Sequence, residues 1–265
     1  MKVKLRKRVA YSLVALSFAA VIWAFTQQVP YVVQKPGGVA NVLGKFERVE
    51  VIQIEGIERE DTFGTLDTVF VTVVGSPNGT FTIPELIPYM FSKDSVVLPL
   101  EEFYPPGFSE DDLDNESAQY MADAQKAAVN YVLSKVSPEL RNRVKLKISL
   151  GEVGGPSGGL MFALGAYELL THGTLTGGKR IAGTGTIDDQ GLVGPIGGIQ
   201  QKLWAAYYDG DKFFLAPKEN CDEVVDHVPT GLRVIPVGTF DEALKVVQTI
   251  GSDGDVSKFP VCTLG

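Results

Sequence analysis

The pattern of apolar and polar positions predicts strands and helices in turn along most of the chain. Alternating or β-branched runs predict strands over residues 48–56, 67–75, 96–100, 144–150, 181–187, 213–217 and 232–237. Apolar residues that recur at three and four positions, or form longer apolar runs, predict helices over residues 118–136, 160–170, 197–210, 219–227 and 240–250. Strands that alternate with helices are typical of an α/β fold.

The N-terminus carries a different pattern. Basic residues crowd the first eight positions, and an uncharged apolar run, VAYSLVALSFAAVIWAF, follows over residues 9–25. Such a run is at the short end of a membrane-spanning helix, and the basic flank predicts a cytoplasmic N-terminus with the remainder outside the cell membrane. A cleaved signal peptide is the alternative. Because the run is long for a signal peptide and no small-residue cleavage site follows cleanly, we expect an uncleaved single-pass anchor.

Composition divides the chain into four segments. These are a basic tip with the anchor (1–28), a β-rich extracytoplasmic segment (29–112), a larger α/β domain (113–250) and a glycine-rich, polar, flexible tail (251–265). The acidic stretch EEFYPPGFSEDDLDNES (101–117) predicts a solvated loop at the second boundary.

Charge and cysteine content narrow the classes of partner. The formal net charge is -8, which argues against nucleic acid. The two cysteines, Cys221 and Cys262, either form a disulfide outside the membrane or remain free thiols.

Several kinds of chemistry are disfavoured. The two histidines, His172 and His227, fall in no metal spacing, so we expect neither a metal nor a cofactor. His172 ends the predicted helix after Ser157, about four turns away, which also argues against a Ser-His-Asp triad. The stretch GTLTGGKR (173–180) imitates a phosphate-binding loop, but Arg180 stands where that loop needs Ser or Thr. We interpret it as a glycine-rich turn, so no ATPase module is expected.

The stretch GGPSGGLMFALG (154–165) places Ser157 at a strand-to-helix junction. A serine hydroxyl needs a base, and without histidine the recurring solution is a lysine whose pKa is lowered by burial. Lys202, in GGIQQKLWAA, is the candidate because no acidic residue lies between Gln190 and Tyr208. The alternatives are an ordinary surface lysine and a tight turn with a spare serine. Small residues at a helix N-terminus would suit an oxyanion held by the amides of Ser157 and Gly158.

Together these residues resemble the proteolytic domain of the Lon-type serine proteases, which use a Ser-Lys dyad. The resemblance rests on GGPSGGLMFALG, on LTGGKRIAGTGTIDDQGLVGPIGGIQQKLWAA (175–206) and on FLAPKENC (214–221), with Ser157 and Lys202 forty-five positions apart. It implies that Ser157 is the nucleophile, Lys202 the general base and Thr184 a residue that helps to position the lysine. It also implies a Lon-like proteolytic fold over residues 113–250 and homo-oligomeric rings, often hexamers.

The pattern is similar to that of membrane-anchored Lon-like proteases, with two departures from the family. Gly154 occupies a position that is acidic in classical Lon and glycine in the anchored subgroup. The anchored relatives insert a PDZ domain after the helix matching 118–136, whereas only residues 137–142 intervene here. The segment 39–100 would then select substrates or bind a membrane partner.

We therefore expect a membrane-anchored, ATP-independent serine endopeptidase that cleaves extracytoplasmic peptides or proteins through an acyl-enzyme. The alternatives are a catalytically inactive Lon-like scaffold and a binding protein at the cell surface built on segment 39–100.

Overall fold

A computed structural model describes residues 2–59, 61–151, 153–171 and 174–264, with side chains from residue 11 onward. Its helices are α1 (Lys2–Phe25), α2 (Ile83–Met90), α3 (Leu100–Phe103), α4 (Glu110–Lys135), α5 (Pro138–Arg143), α6 (Gly159–Leu170), α7 (Ile199–Asp209), α8 (Cys221–Val224) and α9 (Phe240–Gly251). Its strands are β1 (Gln28–Val29), β2 (Tyr31–Asn41), β3 (Lys45–Phe46), β4 (Val49–Glu50), β5 (Ile52–Glu55), β6 (Thr65–Val74), β7 (Phe81–Thr82), β8 (Val96–Pro99), β9 (Lys145–Ile148), β10 (Arg180–Gly183), β11 (Thr186–Ile187), β12 (Val193–Gly194), β13 (Phe213–Pro217) and β14 (Arg233–Val237). Short 3-10 helices cover Pro156–Gly158, Lys218–Asn220 and Val256–Lys258.

The chain divides into two compact units that are discontinuous in sequence. One comprises Met1–Gln34 and Val73–Glu110, and the other comprises Lys35–Thr72 and Asp111–Gly265. The division falls inside β2 and inside β6, so each of these strands contributes to both units. Residues 35–72 are therefore grouped with residues 111–265 and not with the stretches that flank them in sequence.

The first unit contains the N-terminal helix and a small strand-helix arrangement. Strand β8 pairs antiparallel with residues 31–34 of β2, and β1 pairs antiparallel with β7. Helix α2 follows β7 directly and begins with a capping box formed by Thr82 and Glu85. In the described ranges no helix combines the length and apolarity needed to cross a membrane, so the span expected over residues 9–25 is not found.

The second unit is built on a largely parallel sheet in the order β14, β13, β10, β6 and β2. Strand β10 is parallel to both β6 and β13, and β13 is parallel to β14. Helix α6 lies in the centre of the core, because it is largely apolar and residues 160–164 are all fully buried. The mixed α/β class predicted from the sequence is confirmed.

Three local predictions need correction. The acidic stretch 101–117 is not a plain loop, because residues 101–103 of α3 and the first two turns of α4 lie within it. The strand expected over 181–187 is interrupted at Thr184 and Gly185, where Gly185 adopts a φ of 149°. The helix expected over 219–227 is reduced to a 3-10 turn and the four residues of α8. The tail contains a 3-10 helix, and a disulfide joins Cys262 to Cys221.

Candidate active site

Ser157 lies in the 3-10 helix Pro156–Gly158, between β9 and α6, as the strand-to-helix prediction requires. Gly155 precedes this helix with a φ of 90°, a conformation that favours glycine. A Cβ atom at Gly158 would lie 2.9 Å from the ring of Phe162, so only glycine lets the serine segment pack this closely on α6. The glycines around Ser157 therefore fix the backbone geometry of this junction.

The structure brings Thr184 into direct contact with the serine segment. The Thr184 hydroxyl donates a hydrogen bond to the Ser157 carbonyl oxygen at 3.0 Å, and the Gly185 amide donates to the same oxygen at 2.8 Å. Thr184 is fully buried and follows β10 directly. Within the described residues, the Thr184 side chain therefore bonds to the main chain of Ser157 and not to Lys202.

Lys202 is buried in the first turn of α7, with 3% of its surface exposed. Its ammonium group forms no ion pair or hydrogen bond within the described ranges of the chain. Burial lowers the pKa of Lys202 to about 7, and the negative charge of Glu223 acts in the opposite direction. A buried lysine with this pKa is partly neutral near pH 7, so its amine can accept a proton.

The sheet brings the serine segment and α7 to the same edge. Thr184 follows β10, and its amide bonds to Leu215 of the neighbouring parallel strand β13. Asn220, just after β13, bonds through its side chain to the main chain of Ile196 in the turn before α7. Because parallel strands end at a common edge, Ser157, Thr184 and the first turn of α7 all lie at the carboxyl edge of β10 and β13.

A cleft of about 660 Å³ runs beside the segment that precedes Ser157. One wall is residues 114–125 of α4 and the other is formed by Ser149, Gly151, Val153 and Gly154. The two walls touch where the Gly155 amide donates to the Ser117 carbonyl oxygen at 2.9 Å. Met121 and Val153 make part of the lining apolar, whereas Asp114 and Asn115 make its rim polar.

The other candidates from the sequence have structural roles. The His227 ring lies 2.8 Å from the Val225 carbonyl oxygen at an exposed chain reversal, whereas His172 is outside the described residues. In the turn that imitates a phosphate-binding loop, Gly177 and Gly178 have positive φ and Lys179 pairs with Asp253 at 2.6 Å. This ion pair therefore joins the turn to the C-terminal segment.

The carboxylates of Asp67, Asp209 and Asp211 approach one another within 4.8 Å at the opposite edge of the sheet. Such oxygen ligands could hold a divalent cation. Arg180, however, pairs with Asp209 and lies 3.4 Å from Asp67 and 3.7 Å from Asp211. Its guanidinium already supplies positive charge to all three carboxylates.

Sequence reasoning missed three residues around the site. Thr68 has a buried hydroxyl without a hydrogen-bond partner in the described residues. This hydroxyl lies beside Gly158, since a Cβ atom added to that glycine would be 3.2 Å from it. Asn220 and Glu223 join the turn before α7 to α8. No periodicity marks these positions, because a threonine in a strand and an Asn-Glu pair on a turn are ordinary patterns.

A serine at a helix N-terminus and a buried lysine without a salt bridge in the described residues thus lie at one edge of a parallel sheet, an arrangement compatible with a serine hydrolase. The profile of the Lon protease (S16) C-terminal proteolytic domain matches residues 97–249, and the chain belongs to this family. Its matched region is a serine peptidase domain, as the sequence predicted.

Individual relatives agree with this assignment. The chain is similar to the Lon protease of Azorhizobium caulinodans, 30% identical over 200 residues, which is 71% of this chain and 21% of that protein. It is also similar to the Lon protease of Azospirillum brasilense, 32% identical over 161 residues, which is 56% of this chain and 20% of that protein. The chain thus spans about a fifth of the length of these curated relatives.

Proposed function

We propose that the chain is an ATP-independent serine endopeptidase in which Ser157 is the nucleophile and Lys202 the general base. The observation that carries this proposal is the environment of Lys202, a buried amine with no ion pair in the described residues and a pKa lowered to about 7. An unpaired buried lysine costs stability, so a fold that needed only packing would have an apolar side chain there.

The proposed reaction has two stages. The neutral Nζ of Lys202 accepts the proton of the Ser157 hydroxyl as its oxygen bonds to the substrate carbonyl carbon. The tetrahedral intermediate then expels the amine, which takes the proton from the Lys202 ammonium, and an acyl-enzyme remains. In the second stage water attacks the ester, Lys202 again accepts and returns a proton, and Ser157 is regenerated.

The surroundings of Ser157 suit these steps. The amides of Ser157 and Gly158 lie at the start of a helical segment, where free N–H groups attract negative charge, and we assign them to the oxyanion. Thr184 supports the site by holding the Ser157 carbonyl oxygen. The lining of the 660 Å³ cleft includes Gly154, three positions before Ser157 in the chain, and an extended peptide is its proposed occupant.

We also propose that the protein is attached to the cell membrane and cleaves extracytoplasmic peptides or proteins. Support comes from the first unit, where α1 exposes large apolar side chains such as Phe18 (69% exposed) and Trp23 (65% exposed). Helix α2 in the same unit exposes Met90 and, just beyond its end, Phe91, at 65% and 85%. Apolar surface of this kind is favoured in a lipid environment, and the basic N-terminal residues suit a cytoplasmic flank.

Assembly into rings is a further part of the proposal, since Lon proteases form ring-shaped oligomers. Analytical ultracentrifugation of the detergent-solubilised chain would measure its mass directly. A monomer that cleaves substrate at full rate would contradict a requirement for the ring.

The activity is tested with the full chain in detergent, an unfolded protein as substrate and no ATP. Wild type is expected to cleave it, and Ser157→Ala and Lys202→Ala are expected to lose cleavage while Lys218→Ala, a change at an exposed lysine, retains it. Equal cleavage by wild type and Ser157→Ala would contradict the proposal. Flotation of the protein with vesicles, compared with a variant lacking residues 1–25, tests the membrane attachment separately.

A further inference from the structure

Asn220 is a buried side chain that connects three segments around the proposed base. It lies at the end of the 3-10 turn after β13, with 2% of its surface exposed. Its amide nitrogen donates to the Ile196 carbonyl oxygen at 2.8 Å, and its amide oxygen accepts from the Ile196 N–H at 3.0 Å. The same nitrogen donates to the Glu223 carboxylate at 2.7 Å. A buried amide with these three bonds has few other arrangements open to it.

The bonds to Ile196 determine where α7 starts. After Ile196 come two glycines, and Gly198 adopts a left-handed conformation, with a φ of 67°, as the N-cap residue. The Lys202 amide bonds back to the Gly198 carbonyl oxygen at 3.1 Å, so Lys202 belongs to the first turn. Glycines give a turn freedom to move. The two hydrogen bonds between Asn220 and Ile196 therefore limit where the side chain of Lys202 can lie.

The bond between Asn220 and Glu223 fixes the position of a carboxylate on the element next to α7. Glu223 is on α8, which packs against α7 and is held further by the Gln200 side chain bonding to the Glu223 carbonyl oxygen at 3.3 Å. Among the acids of these elements, Glu223 is the one that bonds to Asn220 in the described residues. Asp209 at the far end of α7 pairs with Arg180, and Glu219 and Asp222 are exposed. The negative charge of Glu223 raises the pKa of Lys202 and so acts against the effect of burial.

We propose that Asn220 and Glu223 are positioning residues for the general base: Asn220 fixes the turn that carries Lys202, and Glu223 stabilises the ammonium that Lys202 becomes. The inference rests on the proposed role of Lys202. When the Ser157 proton moves to Nζ, a positive charge forms in a poorly solvated place, where a nearby fixed carboxylate lowers its energy. Because Glu223 is exposed, solvent and salt screen this effect, so it is moderate and salt-dependent.

The test uses Glu223→Gln, Asn220→Ala and the double variant. The matched control is Glu219→Gln, a change of an acid in the 3-10 turn that contains Asn220. Cleavage of a fluorogenic peptide is measured from pH 5 to 10, and kcat and KM are separated. Glu223→Gln is expected to move the acidic limb of the kcat profile to lower pH and to reduce the maximal kcat about three- to tenfold, with KM unchanged. About 1 M salt is expected to move the wild-type limb towards that of the variant, since the screening length is then only ~3 Å.

Asn220→Ala is expected to lower kcat about tenfold or more and to move the limb in the same direction, because it releases both the turn and Glu223. In the double variant the acidic limb of the kcat profile should lie where it lies in Asn220→Ala. Such non-additivity would show that the two residues act on Lys202 together. A limb for Glu223→Gln that coincides with those of wild type and Glu219→Gln would overturn the proposal. So would an Asn220→Ala protein with a lower melting temperature but unchanged kcat and limb.

Failure of the proposed function would look different. If wild type neither cleaves nor reacts with a serine-directed reagent, the pH profiles are replaced by an NMR titration of the isotopically labelled lysines. Lys202, assigned by its loss in Lys202→Met, should titrate at lower pH in Glu223→Gln than in wild type. An unchanged titration would contradict the role of Glu223 whether or not the protein is a peptidase.

Discussion

Buried ionisable groups occur at both ends of the parallel pair β10 and β13. The two ends differ in whether a group of opposite charge lies beside the buried one. At the carboxyl edge Lys202 has no ion pair in the described residues, and burial lowers its pKa to about 7. At the amino edge Asp67 and Asp211 are as deeply buried, but Arg180 lies against both of them and against Asp209. Helix α7 runs between the two edges, with Lys202 in its first turn and Asp209 as its last residue.

The difference separates a reactive site from a structural one. A lone buried amine destabilises the fold and is free to exchange a proton, which suits a base. The carboxylate cluster lies around Arg180, whose positive charge offsets only part of the burial that raises the pKa of Asp211, so loss of Arg180 should change stability and leave chemistry alone. Variants at the two edges can therefore be compared for activity and for stability, in order of expected effect.

The largest effect is expected for Lys202→Met, which keeps most of the length of the side chain and removes the amine. Cleavage should fall by about 10³-fold or more, while the free energy of unfolding at pH 7 should rise by about 2–4 kcal/mol. The lowered pKa means that the unfolded chain binds more protons than the fold between about pH 7 and the unfolded value near 10.5. Wild-type stability therefore increases with pH across this window, and the advantage of the variant should shrink. Chemical denaturation at pH 7 and 10 measures both, and a variant less stable than wild type at pH 7 would contradict the account.

The second largest effect is expected for Arg180→Met, at the amino edge of β10 and β13. Removal of the guanidinium leaves Asp67 and Asp211 buried without their cationic partner, which should cost about 3 kcal/mol at pH 8 and less at pH 5, where Asp211, whose pKa is raised by burial, carries a proton. The catalytic rate per folded molecule should remain as in wild type. Urea denaturation at the two pH values gives the costs, and a large loss of kcat with intact stability would reverse the proposed roles of the two edges.

A smaller change of opposite pH dependence is expected for Asp211→Asn. Burial, together with the neighbouring Asp67, raises the pKa of Asp211, so the folded chain binds more protons than the unfolded chain above the unfolded value near 3.8. The contribution of Asp211 is thus complete at low pH and is lost as pH rises through its raised folded pKa. The variant should gain about 1–2 kcal/mol over wild type at pH 9 relative to pH 5. Melting temperatures at these two pH values would refute the account if the difference had the opposite sign.

The smallest effect is expected for Thr184→Val, which removes one hydrogen bond to the Ser157 carbonyl oxygen. The free energy of unfolding should fall by about 1 kcal/mol, and kcat should fall about tenfold because the serine segment is held less firmly. Thr184→Ser retains the hydroxyl and is the matched control, so its kcat should lie near that of wild type. Equal kcat values for the two variants would show that the hydrogen bond has no part in catalysis.

Much of the second unit was predictable because its strands and helices follow clear periodicities. Helix α6, strand β13 and strand β14 lie within a residue of their predicted bounds. The acidic start of α4 was missed because residues 110–117 have no apolar face, and helix formation there depends on the well-packed turns that follow. The interleaved units could not be predicted, since nothing in β2 or β6 indicates that a strand is shared.

The candidate site was predictable to the extent that its chemistry restricts residue types. Ser157 and Lys202 stood out because there is little histidine to act as a base and because glycines and apolar residues surround them. Asn220 did not stand out, because its importance comes from bonds to Ile196 and Glu223 that exist only in the folded chain. The raised pKa of Asp211 likewise depends on Asp67, which is distant in sequence.

The most direct test of the central claim is the pH dependence of Ser157 acylation by a fluorophosphonate, followed by intact mass from pH 5 to 10. The account predicts a rate that rises to a plateau with an apparent pKa of about 7, no label on Ser157→Ala and a rate for Lys202→Met lower by orders of magnitude. A rate that still rises near pH 10, as for a lysine of ordinary pKa, or equal labelling of wild type and Lys202→Met, would contradict it.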